Sequence, residues 1–320
     1  MPVQAAASKH EEVFVYQYES AIMQQPKKIL NSEHMGSYAQ VGDWHIHYYE
    51  MGEGEGTPLL LVHGLGQSLY TWHKVMPELA KKRRVIAIDL PGSGYSSRIE
   101  GTEYSIDNTA ELIVRFLDTI AVKTCDAIGF SFGAMYLIRS LQLHPRRFGR
   151  VVLASPGGLT PEMPFFLRAL RSPVLSWLYK NLISPRSIQA ILDECFFDQT
   201  QINEEMIQQT YQPLKSKEAR NALVNMIRNF DENETMQHLR DAGHECLLLW
   251  GEDDRWHDPA IGEQFNVSLH RSALIRIRNC GHMIHEEKID RFMEPVENFL
   301  EHGLSQPEEE TKESGSYFFG

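Results

Sequence analysis

The residues of this sequence best suited to chemistry are a serine, a carboxylate cluster and a histidine, met in that order along 320 residues. The serine is Ser131, set in Gly129-Phe130-Ser131-Phe132-Gly133 between the apolar run Cys125-Asp126-Ala127-Ile128 and a helix-like stretch that continues from Ala134 to Leu143. A Gly-x-Ser-x-Gly pattern has meaning where a strand runs directly into a helix, because a sharp turn there lifts the hydroxyl above the carboxyl edge of a sheet. The two glycines serve that turn by removing side chains that would collide with neighbouring elements. The first N–H groups of the following helix then favour negative charge developing beside the serine. The chemistry implied is attack by a hydroxyl, which needs a base, itself oriented by a carboxylate.

Both partners stand at the ends of later apolar runs. Cys246-Leu247-Leu248-Leu249-Trp250 leads into Gly-Glu-Asp-Asp-Arg-Trp-His-Asp-Pro, which offers Asp253, Asp254 and Asp258. Asp254, the third residue after Gly251, is the preferred acid, with Asp253 next and Asp258 last. The run from Ala273 ends in Gly281-His282, a loop position from which an imidazole can swing toward Ser131, with His285 as the alternative base. The carboxylate would accept the second imidazole N–H, hold the tautomer and stabilise imidazolium. Acyl transfer also needs donors for an oxyanion. His63-Gly64-Leu65-Gly66 follows a strand-like run directly, and the N–H groups of Leu65 and Phe132 are expected to converge on that oxygen. Losing one such donor costs about 3–4 kcal/mol of transition-state stabilisation. His63 itself reads as a structural hydrogen-bonder of its loop.

The elements that must carry these residues follow from the apolar runs. Leu59–Val62, Arg84–Ile88, Cys125–Ile128, Arg150–Ala154, Cys246–Trp250 and Ala273–Ile277 lack polar alternation, as strands buried on both faces of a parallel sheet do. Helix-like stretches at Thr71–Ala80, Ser105–Thr119, Gly133–Leu143 and Asp290–Glu301 alternate with them, which predicts βαβ units and an α/β fold. Trp44 to Tyr49 alternates and precedes Met-Gly-Glu-Gly-Glu-Gly, predicting an antiparallel hairpin at the sheet edge. Between about residues 156 and 242 the rhythm gives way to helix-like segments without a convincing strand. The expected organisation is an N-terminal extension over 1–40, a core from 41–155 and 243–303, a helical lid over 156–242, and a flexible acidic tail over 304–320.

Composition narrows the function classes. Thirty-one basic against 43 acidic residues give a net charge of −12, which repels phosphate backbones, so nucleic acid is not an expected partner. Cys125, Cys195, Cys246 and Cys280 show no metal-binding spacing; they predict free thiols, no metal and a reducing compartment. No segment resembles a signal peptide and no run approaches the length of a membrane span, so the expected location is cytoplasmic.

Together, His63-Gly-Leu-Gly, Asp89-Leu-Pro-Gly-Ser-Gly-Tyr-Ser, Gly129-Phe-Ser-Phe-Gly, Trp250-Gly-Glu-Asp-Asp and Cys280-Gly-His-Met-Ile-His resemble the α/β-hydrolase superfamily, in its lidded branch of esterases, lipases and carbon–carbon bond hydrolases. The resemblance covers roughly 44–155 and 243–302. It implies a mainly parallel eight-stranded sheet, a helical lid after the sixth strand, no cofactor, Ser131 as nucleophile, Asp254 as acid, His282 as base, and Leu65 and Phe132 as oxyanion donors. It leaves Asp89 and Ser93 in a structural loop. One departure stands at the acid: the family often places proline four residues after it, whereas Pro259 follows Asp254 by five.

Serine at position 131 argues against relatives that form an alkyl ester on aspartate, and leaves hydrolysis through an acyl-serine. Phe130 beside the nucleophile, with Phe165, Phe166 and Trp177 in an apolar aromatic stretch of the lid, is expected to line a hydrophobic acyl pocket. Arg168, Arg171, Lys180 and Arg186 make that stretch locally basic, so peripheral membrane contact through the lid is a further expectation. The leading function is a carboxylesterase or lipase-like hydrolase of an apolar ester. A carbon–carbon hydrolase of ring-cleavage products would use the same residues, and a non-catalytic ligand receptor would keep only the fold.

Overall fold

A computed structural model describes residues 36–157, 165–230 and 243–304, except the side chains of Phe165 and Phe166. Seven strands form one sheet: β1 Ser37–Val41, β2 Trp44–Val62, β3 Arg83–Ile88, β4 Cys125–Phe130, β5 Phe148–Ala154, β6 Glu245–Gly251 and β7 Arg271–Ile277. Strands β4 and β6 are buried along almost their whole length, as their unbroken apolar runs require. Strand β7 is half exposed because it closes the far edge of the sheet.

The eight strands implied by resemblance and the seven found are reconciled in β2. Along its first arm the partner numbers fall as its own rise, Tyr48 opposite Ile88 and Met51 opposite Val85. Along its second arm they rise together, Leu59 opposite Val85 and Val62 opposite Ile88. The two arms therefore flank β3 on opposite sides, the first antiparallel and the second parallel, and bend through the glycine-rich segment between them. Gly52 has φ +84° there, and a Cβ at Gly52 or Gly54 would fall within 2.4 Å or 2.2 Å of main-chain oxygens in 80–83. One continuous strand thus fills two of eight positions across the sheet. Beyond its second arm β4, β5, β6 and β7 follow in parallel.

Strand β1 corrects the sequence reading. Residues 37–40 fall in the expected N-terminal extension, yet Ser37–Val41 pairs antiparallel with Trp44–Tyr48 as the sheet's first strand. Only Ala39 and Val41 of this strand are buried, too short an alternation to stand out in sequence. Residues 1–35, the rest of that extension, lie outside the described residues, as does the tail from 305.

Among the described residues the helices are α1 Met76–Leu79, α2 Ile106–Thr119, α3 Phe132–Leu143, α4 Phe165–Ala169, α5 Pro173–Leu182, α6 Pro185–Cys195, α7 Glu204–Tyr211, α8 Lys217–Arg228, α9 Ala260–Ser268, α10 Ile284–Glu287 and α11 Ile289–His302. The continuous helix expected over Thr71–Ala80 is instead a 3₁₀ turn at Leu69–Trp72 followed by α1. Pro77 is the cause, since proline without an N–H belongs in a helix's first turn rather than its interior. Pro173 likewise separates α4 from α5. Helix α2 starts where Ser105 Oγ accepts the N–H of Asn108 at 3.2 Å, a side-chain cap. Helices α4 to α8 lie between β5 and β6 in the chain, and residues of this segment cover the carboxyl ends of the central strands.

Candidate active site

Strand β4 runs into α3 through Ser131, whose backbone has φ +52° and ψ −117°. That positive φ in a residue with a Cβ is strained. It is held by the Ser131 N–H donating to Ala154 O at 2.9 Å. The flanking glycines have a steric reason. A Cβ on Gly129 would lie 2.6 Å from Ala134 Cα in the returning helix, and one on Gly133 would lie 2.2 Å from Val62 O at the end of β2. The tight turn therefore needs both, and the strain is concentrated on the serine between them.

The loops after β6 and β7 bring the other two residues together. His282 Nδ1 lies 2.8 Å from Asp254 Oδ2, and both residues are buried. The carboxylate can only accept when ionised, so Nδ1 carries the proton and Nε2 keeps its lone pair. Burial pushes the Asp254 carboxyl up, but the attraction of His282, their hydrogen bond and the neighbouring His257 outweigh it and hold Asp254 below the ordinary range. Its second oxygen is equally committed: Asp254 Oδ1 accepts the N–H groups of Trp256 at 2.8 Å and His257 at 3.0 Å. The main-chain N–H of His282 donates to Cys195 O at 2.7 Å, which ties the histidine loop to the end of α6. Glu287 reinforces that tie by accepting from Gly281 N at 2.8 Å and Asp198 N at 2.8 Å.

The alternatives are placed elsewhere. Asp253 is exposed, and Asp258 Oδ1 accepts from Ala260 N at the start of α9. His285 is fully buried with Nε2 2.7 Å from Thr71 Oγ1, and burial pushes its pKa down to about 3. His63 Nδ1 donates to Gly64 O at 2.7 Å while Nε2 accepts from Leu90 N at 3.1 Å, the structural role expected of it. Asp89 anchors its loop by accepting from Leu69 N, Tyr95 N and His47 Nδ1 at 2.7–2.8 Å. Outside the helix and strand ladders, no backbone acceptor receives the N–H of Leu65 or Phe132 among the described residues.

A cavity of about 220 Å³ joins these parts. Leu65, Phe130, Ser131, Phe132 and His282 line it on the core side, and the segment from α4 to α8 closes it with Leu167, Leu170, Tyr179, Ile188, Leu214 and Leu223. Phe130 lines this cavity, its ring 4.8 Å from that of His282. The side chains of Phe165 and Phe166 lie outside the described residues. Trp177 is a correction: it does not line the cavity and is 63% exposed. Helix α5 turns Ser176 and Tyr179 inward at helical spacing, and it docks on α8 through polar groups. Arg228 Nη2 donates to Ser176 Oγ at 2.7 Å and Lys180 Nζ to Asn221 Oδ1 at 3.0 Å. Val174, Leu175, Trp177, Leu178 and Leu182 are left facing solvent.

Two lining residues escaped the sequence reading. Trp256 stacks on His282 at 5.6 Å with an interplanar angle of 13°, and His257 meets the same ring edge-on at 4.8 Å. Their signal was the aromatic pair two and three residues after the acid, in the loop whose proline stands one residue late. Asp254, His257 and His282 also form a group of potential cation ligands within 4.8 Å of one another. A cation there would have to displace the direct 2.8 Å bond between Asp254 and His282. All four cysteines are free and buried. Among the described residues no helix is long and apolar enough to cross a membrane.

Comparison with known proteins matches residues 57–289 to the family model described as the alpha/beta hydrolase fold. The chain is 29% identical over 255 residues to the uncharacterized hydrolase YugF of Bacillus subtilis, covering 79% of this chain and 93% of that protein. It is 28% identical over 256 residues to the 2-hydroxy-6-oxo-2,4-heptadienoate hydrolase of Pseudomonas putida, covering 77% and 90%. A solved structure of the meta-cleavage product hydrolase CumD from Pseudomonas fluorescens superposes with a TM-score of 0.73 at 23% identity, over 84% of this chain and 98% of CumD.

Proposed function

Since this chain belongs to the alpha/beta hydrolase family and is a hydrolase, we propose that it cleaves a neutral, apolar carboxylic ester through an acyl-serine intermediate. Ser131 Oγ attacks the carbonyl while His282 Nε2 takes its proton, and Asp254 stabilises the resulting imidazolium. The N–H groups of Leu65 and Phe132 receive the developing oxyanion. His282 then protonates the departing alcohol, accepts a proton from water for the second attack, and returns it to Ser131 as the acid product leaves. Helices over 156–242 act as the lid on a core formed by 41–155 and 243–303.

The observation that carries the ester reading over carbon–carbon cleavage is the character of the cavity wall. A dienoate such as the P. putida relative's substrate is an anion, and burying its carboxylate in an apolar pocket needs a cation or several donors. No lysine or arginine lines the cavity among the described residues. The test is a panel of p-nitrophenyl esters of increasing acyl length set against a 2-hydroxy-6-oxo-dienoate. Turnover of the esters with at least about tenfold lower kcat/KM on the dienoate is expected. Preference for the dienoate would move the assignment to the carbon–carbon hydrolases.

The exposed face of α5 supports peripheral contact with an anionic membrane, with cytoplasmic action suited to the four free thiols. Val174, Trp177 and Leu182 are 72%, 63% and 62% exposed, and an apolar patch of this kind marks an interaction surface. No acidic residue occurs from 165 to 192, while Arg168, Arg171, Lys180 and Arg186 do, in a chain of net charge −12. Sedimentation with anionic phospholipid vesicles is expected for the whole protein and loss of at least about tenfold in binding for Trp177→Glu with Leu182→Glu. Equal sedimentation of that double variant, or a dimer that it dissociates, would overturn the contact.

A further inference from the structure

His257 is a second histidine in the cavity, and the mechanism above gives its side chain no task. Its Nδ1 lies 3.1 Å from Ser155 O. A carbonyl can only accept, so Nδ1 bears the proton and Nε2 presents a lone pair. That lone pair has no hydrogen-bond partner among the described residues, yet it is not one of the polar atoms sealed inside the protein without a partner. His257 lines the cavity, and its Nε2 lies beside Gly157, where a Cβ would stand 3.4 Å away.

The ring is also held firmly. The His257 N–H donates to Asp254 Oδ1 at 3.0 Å, its carbonyl accepts Trp250 Nε1 at 3.2 Å, and its ring packs edge-on against His282. Burial and the neighbouring His282 push its pKa down to about 4, so near neutral pH it is an acceptor and not a cation. Most of the cavity wall is aliphatic or aromatic. A fixed acceptor in such a wall is left unpaired by a purely apolar ligand, at a cost, and is satisfied by a ligand with one donor in the right place.

We propose that His257 Nε2 is a specificity-determining acceptor that receives a hydrogen bond from a hydroxyl carried by the acyl group of the substrate within a few bonds of the scissile carbonyl. The closeness of the His257 and His282 rings sets that short span. The substrate class narrows from apolar esters to hydroxylated acyl esters, and this narrowing rests on the ester reading.

The test compares esters of 2-hydroxy and 3-hydroxy acids with their deoxy counterparts of the same carbon number. In the wild type at least one hydroxylated ester should exceed its counterpart by about tenfold or more in kcat/KM, the worth of one hydrogen bond near the reacting centre. His257→Phe should bring that ratio to about one, and His257→Gln, which keeps an acceptor, should retain part of it. The ratio is insensitive to any loss of activity common to both esters. Thermal stabilisation of Ser131→Ala by each ester gives a binding readout without turnover, where the hydroxylated ligand should stabilise more and His257→Phe in that background should erase the difference. Equal ratios in wild type and His257→Phe, or no hydroxyl preference in either readout, would overturn the subsite. If no ester is hydrolysed, the ester reading fails while the thermal comparison still decides the subsite for the hydroxylated ligands.

Discussion

Ser131→Ala is expected to lower kcat on any accepted ester by about a million-fold while leaving the protein folded. In the proposed acyl-enzyme route the hydroxyl supplies the bond-forming atom, and no other residue can replace it. The backbone should not change, because the turn is fixed by the Ser131 N–H on Ala154 O and by the close approaches at Gly129 and Gly133, none of which involves the hydroxyl. Ser131→Gly separates chemistry from strain. It should be as inactive as alanine yet more stable by roughly 1 kcal/mol, because the φ of +52° no longer costs a Cβ its clash. The measurements are fluorophosphonate labelling followed by mapping of the labelled peptide, and thermal unfolding of the three proteins. Labelling of another serine, or full labelling of Ser131→Ala, would remove Ser131 from the reaction.

Strand ends carried the legible part of the site. Ser131, Asp254 and His282 each follow an apolar run, and parallel strands deliver their carboxyl ends to one edge of the sheet, so order along the chain became proximity in space. The bond between His282 and Asp254 is the result. What the runs could not reveal was set by contacts between distant elements. Strand β1 exists through pairing with β2, on two buried side chains of its own. Trp177 lost its place in the pocket to Tyr179, two residues on, because α5 rotated Ser176 and Lys180 onto α8. A stretch apolar on nearly every side does not say which of its faces is inward. His257 was hidden by its loop: only when Asp254 Oδ1 gathers two successive N–H groups do Trp256 and His257 turn their rings onto His282.

That double acceptance also determines what Asp254→Asn will do. Asparagine could in principle keep its carbonyl oxygen toward His282 and preserve the tautomer. Here it cannot do so cheaply, because Trp256 N–H and His257 N–H both point at the Oδ1 position and require an acceptor there. The amide nitrogen is therefore driven to the Oδ2 position, 2.8 Å from His282 Nδ1. Two donors would face each other unless Nδ1 gives up its proton and becomes the acceptor. The proton then resides on Nε2, the atom whose lone pair the proposed mechanism needs to accept the serine proton. A drop of about ten-thousand-fold in kcat is expected, with KM little changed and the same slowing of fluorophosphonate labelling. Asp253→Asn and Asp258→Asn, which alter an exposed side chain and a helix-start acceptor, should stay within about threefold of wild type. The three variants measured together distinguish a tautomer effect at one carboxylate from a general loss of negative charge in the loop. A comparable loss in Asp253→Asn would transfer the acid role to that residue.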